Sequence, residues 1–298
     1  MNTRTVLLLV SSVAAIGAVT AAQDAQAPVF RSDNHTVALY ATVRDRDGRL
    51  VTHLTKGDFQ VSDRGQPAPI TVFSNETQPI TVVPVLDLTG SMGSEAARVK
   101  RAALSFVNAL WPADRARFCQ LGTEVSVSPF LTGDKDVLTR IVREEVWKPD
   151  KSLSTVWTTA WAAMSSLADE PGRRVVLMVS DGVDRCRPAP DLTCVPFAEV
   201  KARVAASGFM FYAVDLAGAS ASSDLKRLAE DSGGGHHSIA SHADLGAALA
   251  DIVDELHHQY VIGFTPSVFD GKEHAVALRV PAGMTASVRK SYVAEAGQ

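Results

Sequence analysis

The sequence predicts an α/β fold with a mainly parallel central sheet covered by helices on both faces, flanked at each end of the chain by short β segments. Three observations carry this. Apolar runs of strand length at Thr81–Leu86, Arg174–Ser180 and Met210–Val214 alternate with stretches of helical spacing. Each run is apolar over most of its length, as in strands buried on two faces. Before residue 79 and after residue 258 the pattern changes to short strands separated by Asp47-Gly48, Arg64-Gly65, Asp270-Gly271 and Pro281-Ala282-Gly283, the turn chemistry of antiparallel hairpins.

Taken in order, residues 1–22 read as a secretory signal peptide. Arg4 is basic, Val6 to Val19 is apolar, and small residues precede a cut near Ala21 or Ala22. The apolar run falls short of the ~20 residues that span a bilayer; an uncleaved anchor is the alternative, and no span is expected in the mature chain. Export places the protein in the periplasm or outside the cell. Residues 23–35 read as a linker and 36–78 as an N-terminal β segment. The alternating domain covers 79–258, and 259–298 form a C-terminal β segment. Some forty residues at either end bury little alone, so head and tail are expected to form one β-sandwich-like domain with the α/β domain inserted between them. The alternative is two separate β extensions packed on the α/β core.

Within 79–258, Val99, Ala103, Phe106, Val107 and Leu110 mark the apolar face of a first helix. Phe118–Leu121 and Val125–Phe130 suggest a hairpin around Gly122, and Asp134 is placed to cap a short helix. Ala160, Ala163, Met164 and Leu167 mark another helix after Thr155. Ser241 to Asp244 reads as a capping box ahead of Leu245, Leu249, Ile252, Val253 and Leu256. Pro84 lies inside the expected central strand, although proline removes a ladder donor and favours an edge or bulge.

Composition excludes some functions. The chain has 298 residues, 46% hydrophobic, and a net charge of -4, with no basic face or lysine run to suggest nucleic acid as a partner. In an oxidising compartment Cys186 and Cys194, which bracket a proline-rich loop, are expected to form a disulfide. Such a short closed loop contributes ~2–3 kcal/mol on the entropy account. Cys119 is left over, in a strand-like run, and reads as a buried inert thiol. His236-His237 and His257-His258 are adjacent pairs that do not share a face, so they read as structural or solvated. Trp111, Trp157 and Trp161 read as packing residues.

The functional signal lies in Thr81–Ser94. The apolar run stops at Asp87, and Thr89 and Ser91 follow at alternate positions on a glycine-punctuated turn before the first helix. A carboxylate and two hydroxyls so placed can point their oxygens inward together, which suits a hard cation such as Mg²⁺. Thr155 opens a later helix and Asp181 ends a second buried strand, so three loops converge at the carboxyl edge of the sheet. Serine, threonine and aspartate also serve as ordinary turn and cap residues, and such turns commonly hold no ion. Glu95, Asp184 and Asp215, also near strand ends, read as solvated or capping carboxylates.

The order Asp87-x-Thr89-x-Ser91, then Thr155, then Asp181 resembles the metal-ion-dependent adhesion site of von Willebrand factor type A (vWA) domains. Thr89 stands in place of the usual first serine, and Leu153-Ser154 in place of glycines. The resemblance extends to a secreted acidobacterial-type group of vWA-related proteins. It covers Ala41–Arg49, Leu54–Phe59, Gln259–Pro266 and Val288–Tyr292. It implies a Rossmann-like vWA domain. It further implies that Thr89, Ser91 and Thr155 supply ligand oxygens to Mg²⁺ (or Mn²⁺ or Ca²⁺), and that Asp87 and Asp181 supply charge. The expected function is then a non-catalytic, cation-dependent adhesion or scaffold module that binds the Asp or Glu carboxylate of a protein partner. One alternative is a structural vWA protein with a vestigial site. Another is a Mg²⁺-dependent haloacid-dehalogenase-like phosphatase, which would need a second carboxylate two residues after Asp87; Thr89 occupies that position.

Overall fold

The computed structural model describes residues 36–89, 96–122, 124–145, 153–190, 192–215 and 222–296. The expected signal peptide, the linker up to residue 35, Ser91 and Glu95 lie outside the described residues. In the first half the strands are β1 (Val37–Arg44), β2 (Gln60–Asp63), β3 (Gln66–Ala68), β4 (Ile70–Ser74), β5 (Thr81–Asp87), β6 (Arg115–Ala116), β7 (Cys119–Leu121) and β8 (Ser126–Val127). The second half adds β9 (Arg174–Val179), β10 (Met210–Asp215), β11 (His236–Ser238), β12 (Tyr260–Phe264), β13 (Glu273–Arg279), β14 (Thr285–Ser287) and β15 (Ser291–Val293). The helices are α1 (Ala96–Ala109), α2 (Lys135–Arg140), α3 (Val156–Ser165), α4 (Phe197–Ser207), α5 (Ser223–Asp231) and α6 (Leu245–His257).

The central sheet has the order β11-β10-β9-β5-β7-β8, with β6 also paired to β5. All of its pairings are parallel except β7 with β8. Both faces are buried because β5, β9 and β10 each divide their side chains between two cores. Val82 and Leu86, Val175, Leu177 and Val179, and Tyr212 and Val214 face α1 and α6. Val83 and Val85, Val176 and Met178, and Phe211 and Ala213 face α3, α4 and α5. This is the period of two expressed on both faces, and each fully buried Val or Leu contributes roughly 1.5–3 kcal/mol relative to exposure.

Pro84 is accommodated by a break in the ladder. The carbonyls of Ile80 and Val82 accept from the amides of Arg115 and Arg117, so even-numbered residues of β5 face β6 and β7. Pairing on that side stops at Val82 with Ala116 and resumes at Val85 with Cys119. The missing proline N–H falls in that gap.

Head and tail strands interleave in two four-stranded sheets, β14-β1-β12-β4 and β15-β13-β2-β3. Their inner faces share a core of Leu39, Val43, Phe59, Val61, Tyr260, Ile262, Phe264, Val276 and Tyr292. The Tyr260 hydroxyl donates to the Val51 carbonyl at 2.7 Å and accepts from the Leu54 amide at 3.0 Å, which satisfies its polar end inside that core.

A buried polar cluster joins the sandwich to the α/β domain. Oε1 of Glu255, near the end of α6, accepts from the hydroxyls of Thr42 at 2.8 Å and Tyr212 at 2.7 Å, and Oε2 accepts from Arg44 at 2.6 Å. His257, in the same turn, meets the Asp114 carboxylate at 2.8 Å and lies under the Trp111 ring, centroids 3.9 Å apart. That histidine is structural, and Trp111, though 40% exposed, packs through this face. Trp157 is buried, and Trp161 carries the Arg203 guanidinium 4.4 Å from its ring centre.

The expected capping box at Ser241–Asp244 does not form. Asp244 has helical backbone angles (φ -86°, ψ -8°) and makes no side-chain cap bond. The chain enters α6 through a 3₁₀ turn in which the Ser241 hydroxyl accepts from the Ala243 amide at 3.2 Å. A capping box needs the Ser241 hydroxyl on the Asp244 amide and the Asp244 carboxylate on the Ser241 amide; the Asp244 amide instead donates to the Ser241 carbonyl at 2.9 Å.

Candidate metal centre

Strand register builds the site. Leu86 of β5 is level with Val179 of β9, and Val179 with Val214 of β10. The next residues therefore share one line across the sheet: Asp87, Ser180 and Asp215, with Leu121 beside Asp87 and Ser238 beside Asp215. This is the carboxyl-end edge, where open α/β sheets bind ligands.

Asp87 is 2% exposed. Its Oδ1 accepts from the Thr89 amide at 2.9 Å and the Thr89 hydroxyl at 2.7 Å, and its Oδ2 accepts from the Ser180 hydroxyl at 2.7 Å. Burial pushes its pKa above the ordinary carboxylate value. The bonds from Thr89 and Ser180 oppose that rise, and the charge of Asp181 adds to it. Among the described residues no Lys, Arg or His offsets the Asp87 charge.

Asp181 follows Ser180 and is half-buried. Its Oδ1 accepts from the Val183 amide at 2.9 Å and its carbonyl from the Ser222 amide at 3.1 Å. Gly182 makes this turn possible. It has φ +70°, and a Cβ there would stand 2.8 Å from that of Ser222.

Thr155 reaches the same edge from the other side of β5. It is fully buried, and its hydroxyl donates at 2.5 Å to the carbonyl of Gly122, the residue after Leu121. The helix it opens is capped by Asp184, whose carboxylate accepts from the Val156 and Trp157 amides. Asp184 is therefore a capping residue, as expected. Asp215, expected to be solvated or capping, is 1% exposed and sits within the line.

The structure thus brings Asp87 and Thr89 into direct contact, places Asp181 close enough to act on Asp87, and positions Thr155 one strand away through Gly122. Ser91 lies outside the described residues. Ser180 was not among the sequence-derived candidates, and Asp215 was read as solvated or capping and not as part of the site. Counting register outward from the three apolar runs would have found them, since each run ends in a polar residue at the same level.

This donor set fits a hard cation. A hydroxyl that donates to a carboxylate keeps its lone pairs for another contact, which holds for Thr89 and Ser180 on Asp87. Ser154, beside Thr155, is 1% exposed and its hydroxyl has no hydrogen-bond partner among the described residues. Among the described residues no three His, Cys, Asp or Glu side chains are grouped so as to hold a metal ion by themselves, so the set is one of hydroxyls with few carboxylates. Cys186 and Cys194 are bonded, closing a loop beside this edge. Cys119 is buried, and burial pushes its thiol up to about 12.

Comparison with solved structures bears on this arrangement. A von Willebrand factor type A protein from Catenulispora acidiphila superposes with a TM-score of 0.50 at 12% identity, over 89% of this chain and 75% of its own. The chain has the von Willebrand factor type A fold. Proximal thread matrix protein 1 from the mussel byssus gives a TM-score of 0.50 at 14% identity, over 62% of this chain. This chain spans about half the length of that protein, 48% of it. No family model matches the sequence, and no curated protein does. Among the described residues of the vWA chain no helix is long and apolar enough to cross a membrane.

Proposed function

We propose that this protein is a non-catalytic binding module, exported to the envelope or exterior. It engages the carboxylate of a protein partner through a divalent cation held by Asp87, Thr89, Ser91, Thr155 and Asp181. The observation that carries the reading is the buried Asp87 carboxylate. It is surrounded by hydroxyls, further charged by Asp181, and balanced by no basic side chain among the described residues. Burying a charge without a counter-charge is costly, and a cation at this edge supplies one. The ion's chemistry is that of a Lewis acid left electrophilic by few direct carboxylates, ready to accept an oxygen from outside. Mg²⁺ suits the set, with Mn²⁺ and Ca²⁺ as alternatives.

The same geometry argues against Asp87 as a phosphatase nucleophile. Both of its oxygens are already engaged, it is 2% exposed, and the position two residues on is Thr89. A vestigial site is the second reading, favoured by Leu153-Ser154 at the loop before Thr155 and by the Thr155 hydroxyl's bond to Gly122. Calorimetric titration of Mg²⁺ and Mn²⁺ into the purified protein separates the two. Saturable uptake that disappears in Asp87→Ala is expected for the binding module, and no uptake by the wild type would leave only the vestigial site.

A further inference from the structure

We propose that the disulfide-closed loop beside this edge is a fixed basic rim. On this reading Arg185 and Arg187 hold a second carboxylate of the partner, so the ligand is an acidic polypeptide segment and not a lone Asp or Glu. The inference rests on the binding reading above and names the chemistry of its partner.

The loop is held to the site at several points. The Arg185 amide donates to the Ser154 carbonyl at 2.7 Å, one residue before Thr155. The Asp184 carboxylate accepts from the Val156, Trp157 and Cys186 amides, so one side chain fastens both the helix and the start of the loop. The Cys186–Cys194 bond closes the loop, and Ala189 and Leu192 exchange backbone hydrogen bonds at 3.0 and 3.1 Å across it. At its far end the Val195 amide donates to the Thr158 hydroxyl at 3.0 Å, on the next turn of α3.

Two guanidinium groups stand on this frame. Arg185 and Arg187 are exposed, lie at alternate positions, and form no ion pair or side-chain hydrogen bond among the described residues. Among the described residues the neighbouring carboxylates are already engaged: Asp87 by hydroxyls, Asp181 by the Val183 amide and Asp184 by three amides; Asp191 of the same loop lies outside the described residues. Glu124, beyond Gly122, is the exposed acid on the opposite loop. A guanidinium pairs with a carboxylate through two parallel hydrogen bonds. An arginine carried on a stapled loop loses less freedom on binding than one on a loose loop.

A peptide suits this rim better than an acidic polysaccharide. The large exposed apolar side chain beside the site is Leu153, 37% exposed, and the disulfide loop adds the exposed Pro188 and Pro190. The exposed aromatics that could stack on sugar rings, Trp111 and Phe130, belong to the opposite end of the sheet, before β6 and after β8.

The test uses the whole protein, a labelled octapeptide of alternating Asp and Glu, its Asn/Gln counterpart, and alginate as the polysaccharide. Binding is measured with Mn²⁺ and with EDTA, at low and high salt. The double variant Arg185→Gln/Arg187→Gln is set against Lys56→Gln/Arg279→Gln, which removes the same charge from exposed positions on the sandwich. Expected are Mn²⁺ uptake equal in all three proteins, a loss of acidic-peptide affinity of about tenfold or more in the loop variant alone, and weak binding of the Asn/Gln peptide. Equal peptide affinity in wild type and loop variant overturns the inference, as does an equal loss in the sandwich variant or a preference for alginate. Mn²⁺ titration of the wild type reports on the metal reading separately. If no ion is taken up, that reading fails, and an arginine-dependent difference in EDTA would still uphold the rim.

Discussion

The Ser180 hydroxyl donates to Oδ2 of Asp87 at 2.7 Å, tying β9 to β5 at the level where the site begins. It also accepts from the Gly182 amide at 3.0 Å, so it sets the turn that carries Asp181. Ser180→Ala leaves a buried carboxylate oxygen without its donor. Such a loss costs about 1–3 kcal/mol, to be read from the midpoint of urea unfolding at unchanged slope. Ser180→Thr restores the hydroxyl and is expected to recover part of that loss.

On the proposed reading, a bound cation is expected to stabilise the folded state by mass action, because the loops that would hold it are dispersed in the unfolded chain. At a concentration a hundredfold above the dissociation constant the gain is about 2.7 kcal/mol. Melting temperature is expected to rise with Mn²⁺, to return on chelation, and to stay flat in Asp87→Asn. A rise of equal size in Asp87→Asn would place the ion elsewhere.

The three cysteines are expected to separate by chemistry. Burial pushes the Cys119 thiol up to about 12, so near pH 8 it is protonated, and being buried it should resist alkylation. Mass spectrometry after iodoacetamide is expected to show no adduct on the native protein. Mild reduction should give two, on Cys186 and Cys194, and denaturant a third. A native adduct on Cys119 would contradict its placement in the core.

His237, at the edge strand, has its pKa lowered by burial, with smaller opposing and reinforcing effects from Glu255, Arg44 and His236. In the unfolded chain it titrates near its ordinary value. As pH falls through about 6.5 the unfolded state takes up a proton that the folded state does not, so stability declines with acidification and levels off below the folded value. The slope of melting temperature between pH 7.5 and 5, on the order of one proton's worth, should flatten in His237→Gln.

Glu255 accepts from Thr42, Tyr212 and Arg44 at the junction of the two domains. Glu255→Ala strands two buried hydroxyls and one cation. The cost is on the order of 3 kcal/mol, moderated because Arg44 is part-exposed. Limited proteolysis is expected to show the sandwich released from the α/β domain, where wild type stays intact.

Periodicity made the central sheet legible, because β5, β9 and β10 are buried on two faces and show it as apolar runs. The placement of Asp87, Thr89, Thr155 and Asp181 at this edge was legible for a related reason: each stands where such a run or a helix starts or stops. The alignment of Ser180 and Asp215 with Asp87 was not, since it comes from register between strands far apart in the chain. The start of α6 differs because Ser241 and Asp244 have the residue types of a capping box, while the chain there takes a 3₁₀ turn in which the Ser241 hydroxyl binds the Ala243 amide. Pro84 looked anomalous until the gap between β6 and β7 placed its missing donor.

The interleaving of head and tail strands has a consequence for how the molecule is made. β1 and β4 lie on either side of β12, and β2, paired on one edge with β3, takes β13 on the other, so β1 and β4 have no strand between them to join until β12 has emerged. The inserted domain can complete its own sheet first and hold the two termini within reach. Closure of the outer layer is then the last event in maturation, and a truncation near residue 258 would leave an ordered core trailing an unsatisfied, aggregation-prone leader.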